Sequence, residues 1–459
     1  MSSATHRVAS MLALLLLGAC DAEEQLDAGR DAGEGGRDAG ADAAARSDAG
    51  RDAGPDGGVA PVVWERIEGL PEICRIEVAR DPNLALPPFE FEPCPEPEGC
   101  RQFVVDFPEH PRGIRFEVRA PVHVDSEQIL FPYIRPMIVG RSRDLNYHAV
   151  ASQTGEHLAV VRSPPLTTGE EHCAVTFIAP AAESYVLVIA YRTGPPASIP
   201  STYVLRAPYA APSQLGPLWE GDGPTTGRFV QLIEASDTTV GMFTTPPLEV
   251  LRVGRTGGAT AVCAAEPGAP YCIIDDVVGD SVLSSYDQGG WWIAIAGPDD
   301  ERSRPLIDLP DSDDTNARSD GTDLVWLRGF GPIVAGRPSR IELWASPYAE
   351  VSEGIAPRRV ARVNVLGLVN TIGVSNGRAW AFDMVDLTSY DAYYASIYDL
   401  ASGERRVYRP PAAELPGEPM LSRDEFAVAI HPAPPGNIRE TRTVRFISYD
   451  SLPVEPPLE

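Results

Sequence analysis

The 459-residue chain contains no lysine. All 38 of its cationic side chains are arginine, set against 65 aspartates and glutamates, and the formal charge is −27. This balance argues against nucleic acid and against electrostatic docking on anionic lipid. It remains compatible with a cation or a basic partner. Metal-ligand spacing is missing too: there is no Cys-x-x-Cys pair and no histidine at ligand distance from one, so a zinc site is not indicated. No phosphate-binding loop or dinucleotide fingerprint occurs. Long helices are excluded by composition, because 45 prolines and 41 glycines are spread along the chain and no segment after the N-terminus keeps a helical period.

What the sequence does contain begins with an address. Arg7 supplies a positive start, and Val8–Leu17 is an apolar stretch too short to span a bilayer. Leu17-Gly18-Ala19-Cys20 follows and resembles a bacterial lipobox, with an ordinary signal peptide as the plainer reading. The resemblance implies that residues 1–19 are a cleaved signal and that the Cys20 thiol accepts diacylglycerol. Two or three acyl chains then hold the protein on a membrane of the cell envelope, with its globular part outside the cytoplasm. Asp21, next to the cysteine, leans toward inner-membrane retention.

Residues 20–60 read as a disordered tether. Asp-Ala-Gly recurs from Asp27, Asp31, Asp38, Asp48 and Asp52, with almost no large apolar residue among them. Such a segment cannot bury enough surface to offset its ordering entropy. Calcium binding is the alternative, but carboxylates on a flexible chain lack the fixed geometry of a calcium loop.

Apart from Cys20, six cysteines remain, an even number suited to an oxidising compartment. Cys263 and Cys272 flank a Pro-Gly turn, which predicts a disulfide stapling a hairpin. Cys94 and Cys100 bracket a second short, turn-rich loop. That leaves Cys74 with Cys173, although pairing Cys74 with Cys94 or Cys100 is nearly as consistent with the spacing.

Period-two alternation recurs throughout. Ile114, Phe116 and Val118 share one face of a strand, Val444 and Phe446 share another, and the run from Tyr185 to Tyr191 reads as a strand buried on both faces. A polar turn followed by an apolar strand repeats from Ser152, Ser236, Tyr286, Ser319, Ser375 and Ser422, at intervals of 84, 50, 33, 56 and 47 residues. Units of this size with several strands each indicate propeller blades. Ser319–Trp326, with Ser-Asp-Gly before Leu-Val-Trp, and Ile397–Arg409 resemble TolB-type β-propeller repeats, although no copy keeps that family's proline. The resemblance implies an all-β propeller of about seven four-stranded antiparallel blades and a binding role. Residues 151–459 would hold the clear blades. Residues 61–150 would form a divergent first blade or two, or a disulfide-bonded cap.

Three groups of side chains are candidates for chemistry. Gly373–Gly377 matches the Gly-x-Ser-x-Gly elbow, with Asp399 or Asp424 and then His431 in hydrolase order. A strand rather than a helix follows Ser375, which favours an ordinary repeat turn. Acids crowd 299–323, at Asp299, Asp308, Asp311, Asp313, Asp314, Asp320 and Asp323. They read as a solvated interblade loop, with Ca²⁺ binding as the alternative, though the pattern lacks the glycine and terminal glutamate of an EF-hand. Trp291, Trp292, Tyr390, Tyr393, Tyr394 and Tyr398 read as packing between blades, or as a surface for sugar rings or a partner. The function these features favour is an envelope lipoprotein whose propeller binds another protein or an envelope polysaccharide. A hydrolase or lyase with its site in the propeller channel is the competing expectation.

Overall fold

The structure is a computed structural model that describes residues 60–94, 97–104, 117–118, 122–123, 129–138, 144–164, 171–193, 201–221, 229–245, 249–255, 257–264, 271–287, 291–307, 313–334, 337–351, 357–364, 372–384, 393–411, 414–432 and 443–457. The signal segment, Cys20 and the Asp-Ala-Gly tether lie outside the described residues.

Seven antiparallel sheets form a closed propeller within one compact unit, 61–332 and 338–459. Blades 2 to 5 are four-stranded and sequential. Blade 2 runs through Glu171–Pro180, Ser184–Thr193, Ser201–Pro208 and Gly216–Glu220. Blade 3 comprises Phe229–Ala235, Thr239–Thr245, Glu249–Gly254 and Ala259–Ala264, and blade 4 comprises Tyr271–Val278, Ser281–Asp287, Trp291–Ala296 and Arg304–Ile307. Blade 5 is Asp313–Ser319, Asp323–Val334, Arg337–Pro347 and Arg358–Val363. Blade 6 takes Ile372–Ser375, Arg378–Met384, Tyr393–Asp399 and Arg405–Tyr408, then gains a fifth strand, Val454–Glu455, from the C-terminus.

Closure uses both ends of the chain. Blade 7 is built from Glu414–Leu421, Glu425–Pro432 and Thr443–Ser448, and its next strand is Arg101–Val104, edged by Glu92–Pro93. In blade 1, Ile129–Ile138, Asp144–Ser152 and His157–Ser163 are extended outward by Glu77–Ala79 and Trp64–Arg66, while Glu117–Val118 and Val122–His123 both pair with Ile129–Ile138. The N-terminal region is thus divided between two blades.

Packing explains why the second strands are apolar without alternation. In Ser184–Thr193, Tyr185, Leu187 and Ile189 enter the core shared with blade 1, while Val186 and Val188 enter the core shared with blade 3. Both faces of a blade meet a neighbour, so both must be hydrophobic.

The structure also re-phases the repeat. Turns between first and second strands fall at 181–183, 236–238, 279–280, 320–322, 376–377 and 422–424, advancing by 41 to 56 residues. The copies starting at Tyr286 and Ser152 are out of phase. Tyr286 lies near the end of blade 4's second strand, and Ser152 ends a strand of blade 1. The blade 4 turn at Gly279 escaped notice because it carries no Ser-Asp or Asn-Gly signature.

Disulfides join Cys74 to Cys173, Cys94 to Cys100 and Cys263 to Cys272. The hairpin expected around Cys263 is corrected. Cys263 sits on the outer strand of blade 3 and Cys272 on the first strand of blade 4, so the bond spans the crossover between two sheets. The Pro-Gly segment between them therefore serves a change of sheet, not a reversal within one. Cys74–Cys173 works similarly, tying the chain before Glu77–Ala79 to the first strand of blade 2.

Candidate functional site

Blade 4's first strand contains two adjacent acids inside an apolar run. The register slips between Ile274 and Asp276, so Asp275 occupies a bulge and is freed from ladder pairing. Its Oδ2 accepts from Ser285 Oγ at 2.6 Å and from the Ala317 amide of blade 5 at 3.2 Å. Ser285 Oγ in turn accepts from the Asn316 amide at 3.0 Å. Asn316 has φ 55°, the left-handed conformation, within the slip that blade 5's first strand makes between Thr315 and Arg318. Two bulges on neighbouring strands thus interlock through one carboxylate.

Asp276 completes the group. Its Oδ1 accepts from the Val277 amide at 2.8 Å and its Oδ2 from the Ser319 amide at 2.9 Å. Arg318 bridges to Glu234 of blade 3 at 3.4 Å. Burial pushes Asp275 up to about 6, opposed by the Ser285 hydroxyl, the Arg318 charge and the Ala317 amide. Desolvation likewise raises Asp276, with Arg318 as the main opposing charge. A carboxylate poised near 6 suits acid–base work in principle. Here Asp275 is 6% exposed and its hydrogen bonds run to the fold's own donors, so the cluster rivets blades 4 and 5.

A second polar chain crosses blade 6. Asp383 Oδ2 accepts from Ser396 Oγ, and Ser396 Oγ accepts from Arg405 Nε at 3.1 Å. Arg405 Nη1 continues to Glu455 Oε2 at 3.2 Å, latching the C-terminal strand. Burial raises Asp383, opposed by Ser396, the Asn364 amide and Arg405. Blade 7 has its counterpart: Arg445 Nε donates to Gln102 Oε1 at 2.9 Å and Nη2 to Glu414 Oε1 at 2.8 Å.

The hydrolase-like constellation does not assemble. Ser375 is buried at the end of its strand and pairs with Arg378 across a two-residue turn, Asn376 (φ 51°) and Gly377 (φ 70°). Gly373 lacks a side chain because a Cβ there would strike the Trp380 indole. Gly373 thus answers to packing and Gly377 to the left-handed backbone of the turn. Asp399 caps its own turn, accepting from the Ala401 and Ser402 amides at 3.1 and 2.8 Å. Asp424 lies in blade 7's turn, whereas His431 is six residues further along Glu425–Pro432 than Glu425, roughly 20 Å at strand rise. Arg378 Nη1 reaches the Arg423 carbonyl at 2.7 Å, which puts Ser375's turn beside blade 7's turn and away from His431.

The acidic stretch is not a single solvated loop. Asp300 caps the turn after blade 4's third strand, bonding the Gly297 amide at 2.8 Å. Asp313 and Asp314 begin blade 5: Asp313 accepts from the Trp291 amide at 3.1 Å, and buried Asp314 from Trp326 Nε1 at 3.0 Å. Asp320 joins the turns of blades 5 and 6, accepting from the Asn376 amide at 2.8 Å. Asp308 and Asp311 lie outside the described residues. Among the described residues no three His, Cys, Asp or Glu side chains converge as a metal site.

Of the aromatics, Tyr394 and Tyr398 are buried, and Arg405 and Arg409 lie over the Tyr394 ring at 5.6 and 5.0 Å. Tyr393 starts its strand, and Tyr390 lies outside the described residues. Trp291 and Trp292 are half-buried in blade 4, Trp292 packing on Tyr286 with centroids 4.4 Å apart. The buried acid–arginine chains escaped the sequence reading. Their signal was present as charges inside apolar runs, Asp275-Asp276 and Arg445 among them.

No protein-family model and no curated protein matches the chain. Among solved structures it is similar to a puromycin hydrolase, at 12% identity over 78% of this chain and 61% of that one, with a TM-score of 0.40. A prolyl endopeptidase is similar at 12% identity over 72% and 54%, with a TM-score of 0.37. The chain therefore spans little more than half the length of these two enzymes. Putative TolB from Agrobacterium tumefaciens is similar at 12% identity over 57% of this chain and 88% of that one, with a TM-score of 0.29. With every TM-score below 0.5, none of these likenesses bears on activity.

Proposed function

We propose that the chain is a lipid-anchored protein of the bacterial cell envelope whose propeller serves as a binding or scaffold module for another protein or an envelope polymer. The observation that carries this reading is how the buried polar groups are used. Asp275, Asp276, Asp314 and Asp383 each bond to donors of the fold itself, and Ser375 is separated from His431. What remains is a ring of packed blades, a scaffold of the kind on whose connecting loops recognition surfaces are commonly mounted. Attachment through Cys20 would keep that ring at the membrane surface.

The test uses the full lipidated chain in its own envelope. Cross-linking in intact cells should trap a specific partner or polymer, and Cys20→Ala should release the chain from the membrane fraction. A fluorophosphonate probe should leave Ser375 unlabelled. Labelling at Ser375, or unaltered membrane partitioning of Cys20→Ala, would overturn the corresponding part of the reading.

A further inference from the structure

Every blade ends in an outer strand whose free edge offers unpaired N–H and C=O groups, which folds generally cover or interrupt. Blades 6, 7 and 1 are covered by Val454–Glu455, Glu92–Pro93 and Trp64–Arg66. On blade 3 the Ser303 amide bonds the Val262 carbonyl at 2.8 Å. The outer strands of blades 2 and 4 each carry a proline, Pro217 and Pro305, which breaks the row of donors. Blade 5 differs. Arg358–Val363 is six residues long, has no proline, includes Val360 and Val363, and has no backbone partner on its outer side among the described residues.

Blade 6 shows how such an edge can be filled. Its outer strand opens Arg405-Arg406-Val407, and blade 5's opens with the same tripeptide, Arg358-Arg359-Val360. On blade 6, Arg405 pairs with Glu455 and Arg406 with Val454, and the Val407 amide bonds the Pro453 carbonyl at 3.1 Å. The Glu455 carboxylate is held by Arg405 Nη1 at 3.2 Å and Arg409 Nη2 at 3.0 Å. On blade 5, Arg358, Arg359 and Arg362 are exposed. Arg359 reaches Glu342 at 2.8 Å and Arg358 the Leu400 carbonyl, while Arg362, across the ladder from Glu342, forms no ion pair among the described residues. A cluster of exposed arginines on one edge of a protein of charge −27 is a local reversal of sign.

We propose that Arg358–Val363 receives an extended acidic segment of a partner protein as a fifth strand, with a carboxylate of that segment meeting Arg362. The chain's own tether does not fit, since Asp, Ala and Gly are poor strand formers. The C-terminal strand of a second copy does not fit either, because Val454–Glu455 is already committed to blade 6 of its own chain. Main-chain bonds would supply affinity and the arginines would select acidic side chains. The inference deepens the binding-module reading and rests on it.

The experiment measures fluorescence anisotropy of a labelled hexapeptide of alternating valine and glutamate against the full chain, beside the same peptide with lysine for glutamate. The glutamate peptide should bind saturably and the lysine peptide at least tenfold more weakly. Amide protection on binding should be confined to Arg358–Val363. Arg362→Glu and the milder Arg362→Gln, both at an exposed position, should weaken binding, the former at least tenfold, with the far-UV circular dichroism of each variant unchanged. Equal binding of both peptides, protection elsewhere, insensitivity to Arg362→Glu, or dimerisation through this edge would overturn the proposal. Loss of peptide binding with envelope cross-linking preserved would sink the edge site alone; loss of cross-linking as well would sink the binding-module reading.

Discussion

Asp275→Asn isolates what burial of one charge costs the ring. Asp275 is buried in the bulge of blade 4, and its carboxyl is raised from the ordinary 3.8 to about 6. That difference is worth about 3 kcal/mol between the protonated and ionised forms. The sign follows from proton binding. Between pH 4 and 6 the unfolded chain has lost this proton while the folded chain keeps it, so stability falls by about 1.4 kcal/mol per pH unit from this group. Its contribution is complete below 3.8 and lost as the pH rises through 6. Asparagine keeps an oxygen to accept from Ser285 and Ala317 but carries no charge at any pH. Urea unfolding followed by tryptophan fluorescence at pH 4, 5, 6 and 7 should therefore show the variant gaining on the wild type by about 3 kcal/mol across the series. Ser285→Ala removes the hydroxyl that favours the ionised form, and should move the fall to higher pH. A difference that stays flat, or one that shrinks as the pH rises, would refute the assignment of a costly buried charge at this joint.

Arg405→Met should cost about 3–5 kcal/mol in chemical denaturation, because buried Asp383 loses the cation that compensates it, and Asp383→Asn in the same chain should recover part of that loss. Replacing Cys263 and Cys272 together by serine should lower stability by about 2–4 kcal/mol, with the loss of amide protection concentrated at the start of Tyr271–Val278. Gly373→Ala should cost about 1–3 kcal/mol in the same assay by driving a Cβ into the Trp380 indole, and Trp380→Leu should relieve the collision.

The sequence carried the blade strands more clearly than their assembly. The run through Tyr185–Tyr191 reads as a doubly buried strand because each blade is packed on two sides, and Thr443–Ser448 keeps Val444 and Phe446 on one buried face. The same two-sided packing defeated the reading of Arg445. Alternation assigns it to solvent, yet it is buried, because Gln102 from the N-terminal region and Glu414 from blade 7's first strand satisfy it. Bulges are equally silent in sequence: nothing in Ile273–Val278 announces that Asp275 leaves the ladder. The disulfide span of Cys263–Cys272 and the phase of the Tyr286 copy were misjudged for a common reason. A turn within a sheet and a crossover between sheets use the same proline- and glycine-rich chemistry. Among the candidate residues, local signals placed Asn376–Gly377 in a turn, whereas the distance from Ser375 to His431 depends on blade order.

Closing the ring is the step that joins residues farthest apart in sequence. Arg101–Val104 pairs with Thr443–Ser448, more than 300 residues away, and bringing two such ends together costs about 5 kcal/mol in chain entropy. Several contacts offset it. Phe103 is buried against Phe446 with ring centroids 6.0 Å apart, a burial worth about 2–3 kcal/mol. Arg101 donates to Glu425 at 2.7 Å and Arg445 to Gln102 at 2.9 Å, charge-assisted bonds worth about 1.5–3 kcal/mol each. The Arg405–Glu455–Arg409 clasp adds a second lock on the neighbouring blade. Closure therefore rests on outer strands and leaves the first strands of each blade free of chain ends.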